Sequence, residues 1–496
     1  MENLKKTILF SSLFSLMVMA CGSSGQSEAV PEPPPGKQTG DVTIYTTTAA
    51  RTQQFKKSFV DFGSGANMSP RTIRLNEQQR YQTMDGFGSA ITGSTAYNLL
   101  KMTPVDRAQF LKETFSVADG MGQSYIRIAI GCSDFSLSEY TLNDQEGIAN
   151  FALQEEETKY VIPILKEILA INPNIKVLGS PWTAPKWMKV VDLTNLTAYD
   201  SWTGGHLNPK YYQDYATYFV KWIQAMQAAG IAIHAVTPQN EPLNAGNSAS
   251  MLMYWNEQRD FVRDALGPKL QQAGLRTKIY AFDHNYNYDN ISSQDDYPVK
   301  IYEDAKAASY FAGAAYHNYG GDKAELLDIH GKAPEKELIF TETSIGTWNT
   351  GQNLGRRLLE DMKEVALGTV NNWSRAVIVW NLMLDSERGP NREGGCQTCF
   401  GAVDINMSDY KTITKNSHYF IIGHLSSVVK PGAVRIGTEG FTEQGVVLSA
   451  FKNPDNSYAV VLANEQTKNT RITFTDGSKY FSYDIPAQSV VSYTWK

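Results

Sequence analysis

Tyr215-Ala216-Thr217-Tyr218-Phe219-Val220-Lys221-Trp222-Ile223-Gln224-Ala225-Met226, then Gly230, then Ile233-His234-Ala235-Val236-Thr237-Pro238-Gln239-Asn240-Glu241-Pro242: this stretch decides how the chain is read. In its first part Tyr215, Tyr218, Phe219, Trp222, Ile223 and Met226 recur at helical spacing, so one face of a helix is apolar. Gly230 suits the C-terminal cap, where a left-handed backbone is wanted. A short apolar run follows and breaks off in a polar cluster. A helix that feeds a short buried strand with a polar tip is the repeating unit of an α/β fold.

The unit recurs on both sides. Short apolar runs at 86–90, 125–130, 175–179, 233–237, 278–282, 314–317, 337–341 and 376–380 read as strands. Helical patterns lie between most of them. Leu354, Leu358, Met362 and Val365 form one apolar stripe, and Thr103-Pro104 opens another helix with a capping hydroxyl before a first-turn proline. Eight strand–helix alternations over residues 80–425 predict a (β/α)8 TIM barrel. The alternative, a doubly wound open sheet, would carry a glycine-rich fingerprint after its first strand, and Gly86-Phe87-Gly88-Ser89-Ala90 lacks the third glycine. Past residue 425 the helical pattern stops. Runs at 446–451, 458–463, 471–474, 481–485 and 490–495, with turns at Asn453-Pro454-Asp455-Asn456 and Asp476-Gly477, predict an antiparallel β-sandwich over 426–496. Strand-like runs at 42–45 and 72–75, within 42–79, are expected to complete it from the other chain end.

Of the 496 residues 42% are hydrophobic and 19% charged, enough to bury a large core without metal or disulfide support. A net charge of −6 gives no basic footprint for nucleic acid. Lys5 and Lys6 precede an apolar run at 8–20 that is too short for a permanent membrane helix. It ends in Val18-Met19-Ala20-Cys21, which resembles a bacterial lipobox. That resemblance implies a signal peptide at 1–20, cleavage before Cys21 and its acylation. Residues 21–41, with Pro31-Glu32-Pro33-Pro34-Pro35, then read as a tether. The expectation is a monomeric outer-membrane lipoprotein, facing the cell surface or the periplasm and touching the membrane through its anchor alone. Cys396 and Cys399 are close enough for a local disulfide in an oxidising compartment. A zinc site would want two more ligands at matching spacing, so no metal and no cofactor are expected. Cys132 is left as an odd, buried thiol.

In a barrel, chemistry collects where strands end. The fourth run ends in Asn240-Glu241-Pro242 and the seventh in Thr341-Glu342-Thr343. One glutamate at a strand end reads as a solvated loop residue or an ion pair. Two that can meet across a barrel mouth read as the nucleophile and acid/base of a retaining glycosidase, which stand about 5–5.5 Å apart.

These motifs resemble glycoside hydrolase family 30, and so do Gly86-Phe87-Gly88, Cys132-Ser133-Asp134-Phe135-Ser136, Ser180-Pro181-Trp182-Thr183-Ala184-Pro185, Gln258-Arg259-Asp260-Phe261 and Trp380-Asn381-Leu382. The resemblance implies Glu342 as nucleophile, Glu241 as general acid/base and Asn240 as a partner of the sugar 2-hydroxyl. It puts Arg127 near the nucleophile, and Asp134, Trp182, His317, Tyr319 and Trp380 in the wall of the sugar site. Each has a plainer reading: Arg127 as a structural ion pair, the tryptophans as core, His317 as a hydrogen-bonded core histidine. Compared with the glucosylceramidase branch of the family, Val379 and Gly93 replace aspartates, and Gly395-Cys396 stands where that branch has an Asn-Phe pair. The loop Gly394-Gly395-Cys396-Gln397-Thr398-Cys399 is similar instead to the β-1,6-glucanase branch. The implied activity is endo-β-1,6-glucanase. The rival readings are a glucosylceramidase-like β-glucosidase, a β-1,6-galactanase, a xylanase and, from another class, a non-catalytic glycan-binding lipoprotein.

Overall fold

The computed structural model describes residues 39–64, 69–286 and 291–496. The predicted leader, Cys21 and almost all of the tether lie outside the described residues. No helix among those described is long and apolar enough to cross a membrane.

Eight parallel strands close into a barrel: β1 (Gly86–Ala90), β2 (Tyr125–Ala129), β3 (Lys176–Ser180), β4 (Ala235–Val236), β5 (Lys278–Asn285), β6 (Phe311–His317), β7 (Glu337–Glu342) and β8 (Ser374–Asn381). Every strand pairs with its sequence neighbour, and β8 closes on β1 through Ala376 opposite Gly86. The helix Tyr212–Ala228 buries the six apolar residues whose spacing announced it, and Gly230 takes a φ of +87° just beyond its end. Along each strand, alternate side chains point into the barrel. Tyr125, Leu178, Ala235, Tyr280, Ala315, Ile339, Ala376 and Ile378 form its closed apolar interior. Below them, Asp85, Lys176, Lys278, Glu337 and Arg375 pair off at the N-terminal end, with Lys176 2.6 Å from Asp85 and Lys278 2.7 Å from Glu337.

The second layer is a nine-stranded sheet built from both chain ends. Val42–Thr48 lies antiparallel to Ser489–Trp495, with Val42 opposite Trp495. Thr72–Thr83 lies between Val434–Gly440 and Thr470–Thr475. The pairing of Thr72–Thr83 with Val434–Gly440 is broken by register shifts near Ile436, and such irregularities bend a strand. The two halves of the sheet then face each other. Phe481 lies 5.5 Å from Tyr493 and 5.1 Å from Trp495, across the sandwich core rather than along the ladder. Two strands had no sequence signature. Lys56–Val60 is half-exposed and opens with two lysines, and Val434–Gly440 holds two glycines and three exposed residues.

The helix Ser417–Ser426, buried along its whole length, lies between barrel and sandwich. Its His424 shares one hydrogen bond with Ser492 Oγ at 2.7 Å and another with Thr47 Oγ1 at 2.8 Å, so one imidazole holds both chain ends. Burial pushes His424 down to about 3, which keeps it neutral. Its folded pKa lies below the unfolded value of about 6.5, so its contribution weakens as pH falls from there towards 3. His424→Leu removes both bonds and is expected to cost about 1–3 kcal/mol. Urea unfolding at pH 7.5 reads this as a lower midpoint with an unchanged slope.

Candidate active site

The strand alternation that fills the barrel interior also sets its upper layer. Two residues beyond Tyr125, Leu178, Ala235, Ala315 and Ile339 stand Arg127, Ser180, Thr237, His317 and Thr341, all fully buried. They converge on Asp283. That residue is aimed inward by an irregularity in β5: Phe282 and Asp283 have φ of 70° and 65°, and the pairing with β6 shifts register between Phe282 and His284. A bulge of this kind re-aims a side chain. Asp283 accepts hydrogen bonds from Arg127 Nη2 (2.8 Å), Ser180 Oγ (3.0 Å), Thr237 Oγ1 (2.7 Å) and Thr341 Oγ1 (2.6 Å), and lies 3.1 Å from His317 Nε2. Burial works against its charge. Arg127 and His317 outweigh it and hold Asp283 well below the usual carboxylate range.

Both glutamates hang from this hub. Arg127 Nη1 donates to Glu342 Oε2 at 2.5 Å, and its Nη2 also reaches Asn240 Oδ1 at 2.7 Å. Tyr319 donates its hydroxyl to Glu342 Oε1 at 2.9 Å. His317 Nδ1 lies 3.1 Å from Glu241 Oε1, and Asn244 Nδ2 donates to Glu241 Oε2 at 2.7 Å. Glu241 has a φ of +44°, a conformation that a non-glycine residue holds only where its surroundings impose it. Here its N–H is tied to the Asp283 carbonyl and its own carbonyl to the Asn244 N–H, both at 2.9 Å. One atom each of Glu241, His317 and Glu342 lie within 4.8 Å of one another. That spacing suits a direct attack by one carboxylate and leaves no room for an intervening water, which needs about 6.5–9.5 Å. A cation could address the same three side chains, but both His317 nitrogens already face carboxylates, so it would first have to displace one.

The proton inventory follows from this contact list. A carboxylate oxygen accepts and does not donate, so a histidine between two carboxylates must bring two protons or find one partner protonated. Burial opposes the charge on His317, but Glu342, Asp283 and Glu241 raise it to about 9. Burial also opposes the charge on Glu241, but His317, His284 and Asn244 keep it low. High His317 and low Glu241 describe one proton shared along a 3.1 Å contact. Burial pushes Glu342 up; His317 and Arg127 hold it back, while the Glu241 and Asp283 charges add to the rise. When the shared proton moves onto Glu241, the Glu241 charge that raised Glu342 vanishes together with the His317 charge that lowered it, so Arg127 is then the cation that holds Glu342 ionised.

Of the residues expected in the site wall, Asp134, Tyr319 and Trp380 line a cleft of about 480 Å³ together with Glu241 and Glu342. Trp182 and His317 do not. Trp182 stacks on Trp380 at 5.2 Å, and His317 has no exposed surface. His317 is thus fully buried, with its Nδ1 against Glu241 Oε1 and its Nε2 against Asp283 Oδ1. Arg127 is likewise fully buried, between Trp182 and Trp380 at 5.0 and 5.2 Å from their rings. Burial, with Glu342 and Glu241 nearby, raises Asp134 to about 8, so at neutral pH it can donate a hydrogen bond to a hydroxyl. The sequence reading missed Asp283 and Asn244. A charged residue closing an otherwise apolar run, Phe282-Asp283-His284, was the available signal for the first.

The remaining wall is the loop after β8. Cys396 and Cys399 are joined in a disulfide, Cα atoms 5.8 Å apart, and both line the cleft with Gly394 and Gly395. Cys132 is free and buried. A Cβ on Gly395 would lie 2.2 Å from the Asp134 carbonyl oxygen, so this loop reaches the loop after β2 only with glycine there. Arg392 fixes the approach by donating to the Ser133 and Ser248 carbonyls at 2.7 and 2.6 Å. Gly93 also has a structural reason. A Cβ there would lie 2.0 Å from Glu156 Oε1, so the Glu156 carboxylate fills the room a side chain would need.

Residues 84–429 match the model of the glycosyl hydrolase family 30 TIM-barrel domain, and residues 432–493 that of the family's beta sandwich domain. The endo-1,6-beta-D-glucanase BGN16.3 of Trichoderma harzianum is 30% identical over 509 residues, which cover 97% of this chain and 99% of that protein. The lysosomal acid glucosylceramidase of Mus musculus is 28% identical over 88% of this chain and 87% of its own. The solved structure of the endo-beta1,6-glucanase BT3312 is 68% identical, with a TM-score of 0.90 over 92% of this chain and 100% of that one.

Asp283→Asn keeps the size of the side chain but removes its charge and turns an NH2 towards donors. Arg127 and His317 then shift, and a misplacement on this scale is expected to lower kcat/KM about 10²-fold. His317 also loses a charge that raised it, so the alkaline limb of the pH–rate profile should move to lower pH. An alkaline limb that stays where it is in the variant would sink this assignment.

Proposed function

The chain belongs to glycosyl hydrolase family 30, and from that premise we propose that it cleaves β-1,6-linked glucan by double displacement, with Glu342 as nucleophile and Glu241 as acid/base. The observation that carries the chemistry is the buried pair itself: two carboxylates within 4.8 Å, one bonded to a guanidinium and the other to a histidine. Glu342 attacks the anomeric carbon while Glu241, taking the proton it shares with His317, delivers it to the departing oxygen. A covalent glycosyl-enzyme results. Glu241, now ionised, draws a proton from water, and the hydroxide formed releases the sugar from Glu342. Two inversions at one carbon retain its configuration. Asn240, held by Arg127, is within the same cluster to meet the sugar 2-hydroxyl.

The linkage rests on likeness to the 68%-identical endo-beta1,6-glucanase, supported by the shape of the wall. Gly395 and Cys396, which line the cleft, stand where the resemblance to the glucosylceramidase branch would put an Asn-Phe pair, so that wall carries less bulk. A 1,6-linked chain has one more rotatable bond per linkage than a 1,4-linked one, so it can curve into a bowl that a flat chain does not enter. Shape and unpaired polar groups in the wrong complex then discriminate. A complete acid/base and nucleophile set supports catalysis over mere glycan binding.

Initial rates on equal masses of β-1,6-glucan, β-1,3-glucan, cellulose, xylan and β-1,6-galactan test this reading. Turnover is expected on the first and little on the rest, with the β-anomer formed first by proton NMR. Glu342→Ala should be inactive on every substrate. Glu241→Ala should retain rate on aryl glucosides, where azide rescues it, because a good leaving group needs no acid. Preference for xylan or galactan would overturn the substrate, and an initial α-anomer the mechanism.

We further propose that the protein works as a monomer anchored at the outer membrane through acylated Cys21, on the strength of Val18-Met19-Ala20-Cys21 and the proline-rich tether. Radiolabelled palmitate should enter the wild-type chain and not Cys21→Ser, which should also leave the membrane fraction. Equal labelling of the two would end that proposal.

A further inference from the structure

Beside the catalytic cleft lies a second cavity of about 330 Å³, and the two share Tyr319, Ser344 and Trp348 as their common wall. Among the described residues, Tyr319 and Trp348 are the two exposed large aromatics, at 43% and 53% exposure, and both stand on this wall. Their exposure is built in. Ile345–Gly346 pairs with Cys399–Phe400, and Thr347 N–H donates to the Thr398 carbonyl at 2.9 Å, so Trp348 is planted on the disulfide turn. A Cβ on Gly346 would lie 1.8 Å from the indole, which shows that the ring rests directly on the glycine backbone. Tyr319 is fixed from its other end by the hydroxyl it donates to Glu342.

The lining of the second cavity is polar and charged. Asp322, Glu360, Asp361 and Glu364 face it with Lys323 and Arg357, four carboxylates against two cations. Lys323 is paired with Glu364, and Arg357 with Glu360 and Asp361. The excess of carboxylates disfavours an anionic ligand such as a uronic acid or a phosphate. Paired charges still offer acceptors and donors to hydroxyl groups. A neutral polyol with an apolar ring face suits both the lining and the aromatic ridge.

We propose that this cavity is a distal sugar-binding position for the same glucan chain, which crosses the Tyr319–Trp348 ridge on leaving the catalytic cleft. This rests on the glucan reading above. The extra torsion of a 1,6-linkage lets a chain turn over such a ridge, and a position beyond it would make longer chains better substrates than short ones.

The test measures kcat/KM on β-1,6-linked gluco-oligosaccharides of two to six units and on an aryl β-glucoside. In the wild type, kcat/KM should climb with length. Trp348→Ala should lower the ratio of the hexamer value to the aryl glucoside value roughly tenfold, the order expected for loss of one aromatic stacking contact. Trp348→Phe, which keeps a ring face, should restore most of it. Asp322→Tyr, which narrows the second cavity from its exposed rim, should flatten the climb in the same way. A wild type that turns over β-1,6-oligosaccharides without length dependence overturns the distal position alone, and so does a hexamer ratio unchanged in both Trp348→Ala and Asp322→Tyr. A wild type that turns over none of the β-1,6-oligosaccharides overturns the glucan reading beneath it.

Discussion

Asp283 is the constraint on which the site depends. Three carboxylates, a guanidinium and an imidazole are packed at the top of one barrel, away from bulk water. An unpaired charge there would cost several kcal/mol, so each must find an opposite partner. Asp283 sits between Arg127 and His317 and lets both stay charged. They in turn serve Glu342 and Glu241, the two groups that face the cleft. The hub thus converts one buried anion into two differently equipped carboxylates. One leans on a fixed positive charge that cannot give up its proton. The other leans on a histidine that can.

The backbone pays for this arrangement in two places. The irregular end of β5 turns Asp283 inward, and Glu241 is held at positive φ. The two are linked, because the Glu241 N–H is bonded to the Asp283 carbonyl. Strain at Glu241 is therefore held by the same residue that fixes its electrostatics. Around this rigid floor, the walls come from loops that reach each other through close approaches. Gly395 lies against Asp134, Arg392 ties the loops after β2, β4 and β8 together, and the Cys396–Cys399 disulfide carries Trp348. Shape at the mouth is thus set by packing between loops and chemistry at the floor by the strands.

Much of this was legible in the amino-acid sequence. A period-3.6 pattern falls directly on a helix and a short apolar run on a buried strand, which is why eight strands and the helix Tyr212–Ala228 stood out. Glu241 and Glu342 showed because each ends a short apolar run, and strand ends are where a barrel exposes polar groups. Cys396 and Cys399 showed because a three-residue separation brings them close enough for a local disulfide. Val434–Gly440 and Lys56–Val60 did not show, since their partners, not their own patterns, make them strands.

What the sequence by itself determined, then, was the local periodicity, the order of the elements and the residue types at the strand ends. From these come the barrel, the added sandwich and the two glutamates. Only the tertiary structure decided that Asp283 joins them, that His317 and Trp182 stand behind the cleft wall, and that a glycine at 93 makes room for Glu156. The reason is physical. Periodicity is a property of neighbouring residues, whereas a hydrogen bond between Arg127 and Asp283, 156 residues apart, exists only after the barrel closes. The direction of a buried charge is set by partners that closure brings within 3 Å, and no local pattern encodes them.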